Sequence, residues 1–175
     1  ANVSHVINIS IVGIDRIPFV YYKIKLAAEK VIAESGVPWT NLRATQFHNF
    51  LDILLQMAAR LPVMPLPTDF QFQPVEVTEV AARLAACVDA APAGRLPDLG
   101  GPEVLLFGDI ARIWLRARKM KRLIVRLPLW GKTADGFRKG YHTNIQSDKG
   151  TVTWAEWVER TYTKGERVNE RILQP

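Results

Sequence analysis

The hydrophobic pattern of the first fifty residues predicts an alternation of strand and helix. Val6-Ile7-Asn8-Ile9-Ser10-Ile11-Val12 is apolar and β-branched with Ser10 set into it, the composition of a strand. Leu26, Ala27, Ala28, Glu29 and Lys30 are strong helix formers, Pro18 suits a first turn, and Gly36 with Pro38 beyond it ends the helix. Trp39 to Thr45 is again strand-like. Strand, helix, strand predicts a βαβ unit with parallel strands. Phe47, Phe50, Leu51, Leu54, Leu55, Ala58 and Leu61 then recur at helical spacing, which predicts a second helix over 46–61.

The later pattern is more broken. Leu61 to Pro67 is too proline-rich for a central strand, whereas Phe70 to Val75 alternates as an edge strand does. A helix follows to about Ala90, with Thr78 or Glu76 able to assist its start, and residues 91–95 form a turn. Gly100-Gly101-Pro102 predicts another turn, since it lacks the GxGxxG spacing of a phosphate loop. Asp109 is the expected N-cap of a helix over 110–119. A short strand over 123–129, a weakly amphipathic helix over 131–141 and a loop over 144–150 follow. Thr153 and Glu156 stand at capping-box spacing before a last helix, with Trp154 and Trp157 as packing anchors. The charged tail from Lys164 is expected to fray.

Candidate chemistry sits on the first helix. Tyr21 and Lys25 are four residues apart and share one helical face. An ammonium beside a phenol favours the phenolate and makes a tunable proton donor. The same spacing also arises on ordinary surface helices. Tyr22 is the weaker acid candidate, because its i+4 partner is Leu26.

The order Ser10, Tyr21-x-x-x-Lys25-x-x-x-Glu29 and Ser35-Gly36-Val37-Pro38-Trp39-Thr40-Asn41-Leu42-Arg43-Ala44 resembles the atypical short-chain dehydrogenase/reductases, and most the NmrA-like, NAD(P)-binding branch. Phe72-Gln73-Pro74-Val75-Glu76-Val77-Thr78-Glu79-Val80-Ala81 resembles a later step of that family into a helix. The resemblance implies an α/β fold: the C-terminal part of a Rossmann-like doubly wound parallel sheet with a smaller α+β substrate lobe. Residues 1–60 would belong to the dinucleotide-binding domain, and 61–175 to its remaining elements and the lobe. By the same resemblance Ser10 positions a substrate carbonyl, Tyr21 is the acid/base, and Lys25 holds the nicotinamide ribose and lowers the Tyr21 pKa. Phe47 would line the cofactor; Gln46 and His48, at a strand-to-helix junction, would line the substrate. The alternatives are that Phe47 belongs to the core and that His48 is a solvated helix start. The family's glycine-rich phosphate loop lies near the start of its chains, more than a hundred residues earlier, and this sequence contains no such loop. The expectation is a truncated NAD(P)-dependent oxidoreductase acting on a small carbonyl or quinone-like substrate. NAD or NADP is implied as cofactor, bound poorly or not at all by this stretch alone. A non-catalytic dinucleotide-sensing or protein-interaction module is the alternative.

Composition changes this picture little. The 175 residues are 48% hydrophobic, enough for one core. The single Cys87 sits in an apolar helical run, so a disulfide framework is excluded and a reducing cytoplasm fits. No leader peptide and no run near the ~20 apolar residues of a membrane span occurs. The +6 net charge could suit a phosphate-bearing cofactor. The cations of Arg116 to Arg122 crowd a helix end without interleaved aromatics, which argues against nucleic acid. No His/Cys cluster has metal-ligand spacing. An unpaired edge on the Ser10 strand is expected to drive homo-oligomer formation.

Overall fold

The computed structural model describes residues 3–146 and 148–162; the expected fraying of the tail from Lys164 falls outside them. The chain forms β1 (Val6–Ile11), α1 (Val20–Glu34), β2 (Trp39–Ala44), α2 (His48–Ala58), β3 (Val63–Leu66), β4 (Gln71–Phe72) and α3 (Val77–Ala85). It continues through β5 (Gly94–Arg95), β6 (Leu99–Gly100), β7 (Leu105–Leu106), α4 (Phe107–Ala117), β8 (Leu123–Arg126), α5 (Lys132–Arg138), β9 (Asp148–Lys149) and α6 (Trp154–Tyr162).

The expected βαβ unit is present. β1 and β2 pair in parallel from Val6 opposite Trp39 to Ile11 opposite Ala44, and α1 makes the crossover. Gly36, at φ +75°, follows the Ser35 C-cap, the left-handed position that glycine fills without strain. β2 pairs onward with β5 and β6, and β6 with β9, all in parallel. The fold is therefore mixed α/β around a parallel sheet.

Two small sheets lie outside it: β3 with β8 in parallel, and β4 with β7 antiparallel. The proline-rich stretch does form a strand, β3. It is tolerated because a two-stranded sheet has only edges, so Pro65 removes no interior ladder bond. The main apolar core gathers around these sheets. Leu51 and Leu55 of α2 meet Met64, Phe72, Ile110, Trp114, Trp154 and Trp157. A second cluster, Leu42, Ala44, Val75, Val80 and Leu99, lies between the parallel sheet and α3.

Three local expectations need correction. α4 begins at Phe107 with Leu106 as its cap, and Asp109 sits inside the first turn paired to Arg112 at 2.6 Å. The Phe70 and Thr68 carbonyls already accept from the Phe107 and Gly108 N–H groups, so no side-chain cap is needed. Gly100 is a strand residue rather than a turn residue. Gly101 follows it because a Cβ there would run into the Pro74 carbonyl. The 144–150 loop contains β9, whose Asp148 N–H donates to the Asp98 carbonyl at 3.1 Å. The last helix starts as expected: Glu156 accepts from the Thr153 N–H at 2.9 Å and Thr153 Oγ1 from the Glu156 N–H at 3.2 Å.

Candidate active site

Doubly wound sheets bind ligands beyond the carboxyl ends of their strands, so the ends of β1 and β2 are the place to look. The loop after β1 turns at Gly13, φ +78°, where a Cβ would collide with the Tyr141 carbonyl. It then buries Ile14 and Ile17 with Tyr22 against Phe137 and Tyr141.

α1 lies over β1 and β2 by polar pins more than by apolar burial. Tyr22 is its only fully buried residue. Lys25 Nζ donates to the Ile9 carbonyl at 2.8 Å. Glu29 accepts from Arg43 Nε at 2.9 Å, from Arg43 Nη2 at 2.6 Å and from Asn41 Nδ2 at 3.1 Å. Arg43 Nη1 reaches Asp15 at 3.1 Å. Burial pushes the Glu29 carboxyl up, but the Arg43 guanidinium outweighs it and holds the group below its usual range. Ser10 stands beside Arg43 in register and is buried. Its Oγ has no partner in hydrogen-bond geometry, though it lies near enough to the Glu29 carboxylate to favour the charged form.

The two tyrosines separate clearly. Tyr21 is half exposed and Tyr22 buried, with ring centroids 6.4 Å apart. Burial pushes the Tyr22 phenol up to about 12; the neighbouring Tyr21 adds to this and a hydrogen bond with Gln46 opposes it. Gln46 in turn donates through Nε2 to the His142 carbonyl at 3.4 Å, while its Oε1 is buried without a partner. Ser10 and Lys25 thus meet the second half of β1, Tyr21 stands one turn before Lys25 on α1, and Gln46 reaches α1 through Tyr22. Phe47 caps α2 and packs with the Leu42 and Val75 cluster on the opposite face of the sheet. His48 is fully buried, its ring stacked on Trp157 at 5.5 Å and tilted against Trp154 at 5.8 Å. Burial, and secondarily the Arg160 charge, push its pKa down to about 3. It is neither a solvated helix start nor open to a ligand.

The Arg43–Glu29–Asp15 network is the feature that motif reading missed. A signal existed: an arginine inside a strand that must be covered by a helix needs an acid on that helix. A cleft of about 520 Å³ opens between α1 and β2 beside this network, lined by Glu29, Arg43 and Asn41 together with Leu26, Trp39 and Arg95. Two of its other cations are already paired, Lys30 with Glu34 and Arg95 with Asp98. Among the described residues no group of His, Cys, Asp and Glu is placed to hold a metal ion, and no helix is long and apolar enough to cross a membrane.

No family profile and no curated protein sequence matches the chain. Solved structures do. The fold is Rossmann-like. An NADPH-dependent quinone oxidoreductase from Escherichia coli, solved with NADPH, superposes with a TM-score of 0.72 at 17% identity, over 93% of this chain and 67% of its own. A triphenylmethane reductase from Citrobacter gives 0.70 at 15%, over 94% and 66%. UDP-glucose 4-epimerase from Thermotoga maritima gives 0.67 at 14%, over 93% and 63%. The chain spans about two thirds of the length of these structures.

Proposed function

We propose that this chain is the C-terminal portion of an NmrA-like, NAD(P)-dependent oxidoreductase acting on a small carbonyl or quinone-like substrate. What supports the reading is that Ser10 lies in β1 and Lys25 donates to that strand, with Tyr21 one turn before Lys25 on α1, in a fold shared with an NADPH-bound reductase. When bound, the nicotinamide supplies the hydride. The chain's own groups fit its nicotinamide end. Ser10 has a buried hydroxyl beside the Glu29 carboxylate, and a substrate carbonyl would take its proton in place of that carboxylate. Tyr21 keeps solvent contact and can exchange a proton, whereas Tyr22, buried with its phenol raised to about 12, is a scaffold residue. Lys25, whose Nζ donates to the Ile9 carbonyl, would hold a ribose hydroxyl beside the same strand. Phe47 and Gln46 bound the junction, and His48 supports it from the core.

The pyrophosphate end has no counterpart in the sequence, which lacks a GxGxxG turn. Lys25 alone offers one charged hydrogen bond, roughly 1.5–3 kcal/mol. Calorimetric titration with NADPH and NADH tests this division. Binding weaker than about 1 mM is expected, lost further in Lys25→Met. Micromolar binding by the 175-residue chain would contradict it.

A further inference from the structure

The β3–β8 sheet has one face in the core and one in solvent. Met64 and Leu66 of β3 and Ile124 of β8 turn inward, onto the main apolar cluster. The register sets Val63 beside Leu123 and Pro65 beside Val125, and all four are exposed. A solvated sheet face normally carries polar side chains at these alternate positions. This one is aliphatic throughout: Leu123 is 66% exposed, and Leu127 continues the strip beyond β8. At its end Trp130 is 83% exposed, more than any other large apolar side chain among the described residues. The backbone on either side of Trp130 is fixed. The Leu129 carbonyl accepts from Arg138 Nη2 at 3.0 Å, and the Gly131 carbonyl from the Asp135 N–H at 3.0 Å. The same stretch carries the charge. Between Asp109 and Asp135 the sequence has eight Lys and Arg and no acid, whereas the whole chain is only +6, so the remainder is slightly acidic. Lys121 and Arg122 precede β8 and Lys132 follows Trp130, which sets cations at both ends of the strip. Arg112 and Arg126 are paired with Asp109 and Asp69. Among the described residues Lys119, Lys121 and Lys132 enter no ion pair.

We propose that this face docks on the surface of an anionic lipid bilayer: Trp130 and the aliphatic residues of β3 and β8 enter the headgroup boundary, and the flanking lysines lie against the lipid phosphates. Charge and apolarity fit that occupant together. Aliphatic side chains leave water for the boundary without needing a partner of defined shape, Trp favours the membrane–water interface, and lysines gain from a negative surface. A second copy of the chain would bring two like-charged strips face to face. A nucleic acid would find a single aromatic ring to stack on, over an aliphatic floor. Protein interfaces favour Arg and aromatic rings and are depleted of Lys, and here the unpaired cations are lysines. The attachment is peripheral and needs no spanning segment. It uses none of Ser10, Tyr21 and Lys25, so it stands apart from the proposed function.

Co-flotation of the 175-residue chain with lipid vesicles tests the docking. The chain should float with phosphatidylcholine vesicles containing about 30% phosphatidylglycerol, and bind at least about 10-fold more weakly to phosphatidylcholine alone. Lys119→Gln/Lys121→Gln should weaken binding about 30-fold, or about five-fold per charge removed. Trp130→Ala leaves the charge unchanged and should weaken binding about 10-fold. All three side chains are exposed, so urea unfolding should be the same in every variant, which separates docking from stability. Trp130 emission, taken as the difference between the chain and Trp130→Ala, should shift to the blue on the anionic vesicles. Absence of flotation with anionic vesicles would overturn the proposal. So would binding that Trp130→Ala leaves intact, since charge alone would then explain it. Single-stranded DNA bound more tightly than the anionic vesicles would overturn it in favour of nucleic acid. A dimer in sedimentation that Trp130→Glu dissociates would overturn it in favour of a second copy. None of these readings uses a nicotinamide, so a failure here is distinguishable from a failure of the proposed function.

Discussion

Acidification should unfold this protein through two histidines. His48 and His142 are both fully buried; neither ring nitrogen of His48 has a hydrogen-bond partner, and at His142 only the Gln71 backbone favours the charged ring. His142 is enclosed by the rings of Phe137 at 4.6 Å and Phe72 at 5.3 Å. Burial pushes His48 down to about 3, with Arg160 adding to it, and His142 to about 4, with a backbone bond at Gln71 opposing. In the unfolded chain both titrate near 6.5. Below that value the unfolded state takes up two protons that the folded state refuses. Stability is therefore full above pH 6.5 and lost as pH falls toward 4 and then 3. Each histidine contributes about 1.4 kcal/mol per pH unit, so pH 5 costs about 4 kcal/mol of a typical 5–15. Urea unfolding at pH 7.5, 6.0 and 5.0 measures this. His48→Leu and His142→Leu should each halve the slope below pH 6, whatever they cost at pH 7.5. The carboxylates held low, Glu29, Asp69 and Glu156, titrate below this window and do not blur it. A wild-type stability that is flat from pH 7.5 to 5.0, or slopes unchanged in both variants, would refute the reasoning.

Arg43→Met leaves the partly buried Glu29 without its ion partner and should cost about 3 kcal/mol in chemical denaturation, with most of it recovered in the Arg43→Met/Glu29→Met double variant. Gly101→Ala drives a methyl into the Pro74 carbonyl and should cost about 1–3 kcal/mol, read as a lowered Tm.

The βαβ unit was legible because β1, α1 and β2 each follow a local rule: β-branched runs, strong helix formers and a glycine stop. That Tyr21 and Lys25 share one helix was legible through spacing, since a helix fixes which residues share a side. What escaped was decided by partners distant in sequence. Asp109 did not cap α4 because Thr68 and Phe70, about forty residues upstream, had already taken the N–H groups. β9 is two residues long and exists only because Gly100 and Leu99 offer it an edge. His48 could not be placed from its position at a strand end. Its surroundings come from Trp154 and Trp157, more than a hundred residues later. Arg43 looked like one more strand residue until Glu29 and Asp15 closed on it.

The central claim is that this chain holds the nicotinamide end of a dinucleotide at β1 and α1. Titration with nicotinamide mononucleotide, followed by amide chemical shifts of the 175-residue chain, tests it most directly. The mononucleotide should bind about as well as the full dinucleotide, in the millimolar range set by one or two polar contacts. Shifts should concentrate at Ser10, Ile11, Tyr21 and Lys25 and vanish in Lys25→Met. Shifts confined to the cleft near Trp39 and Arg95, or none at about 10 mM, would contradict the account.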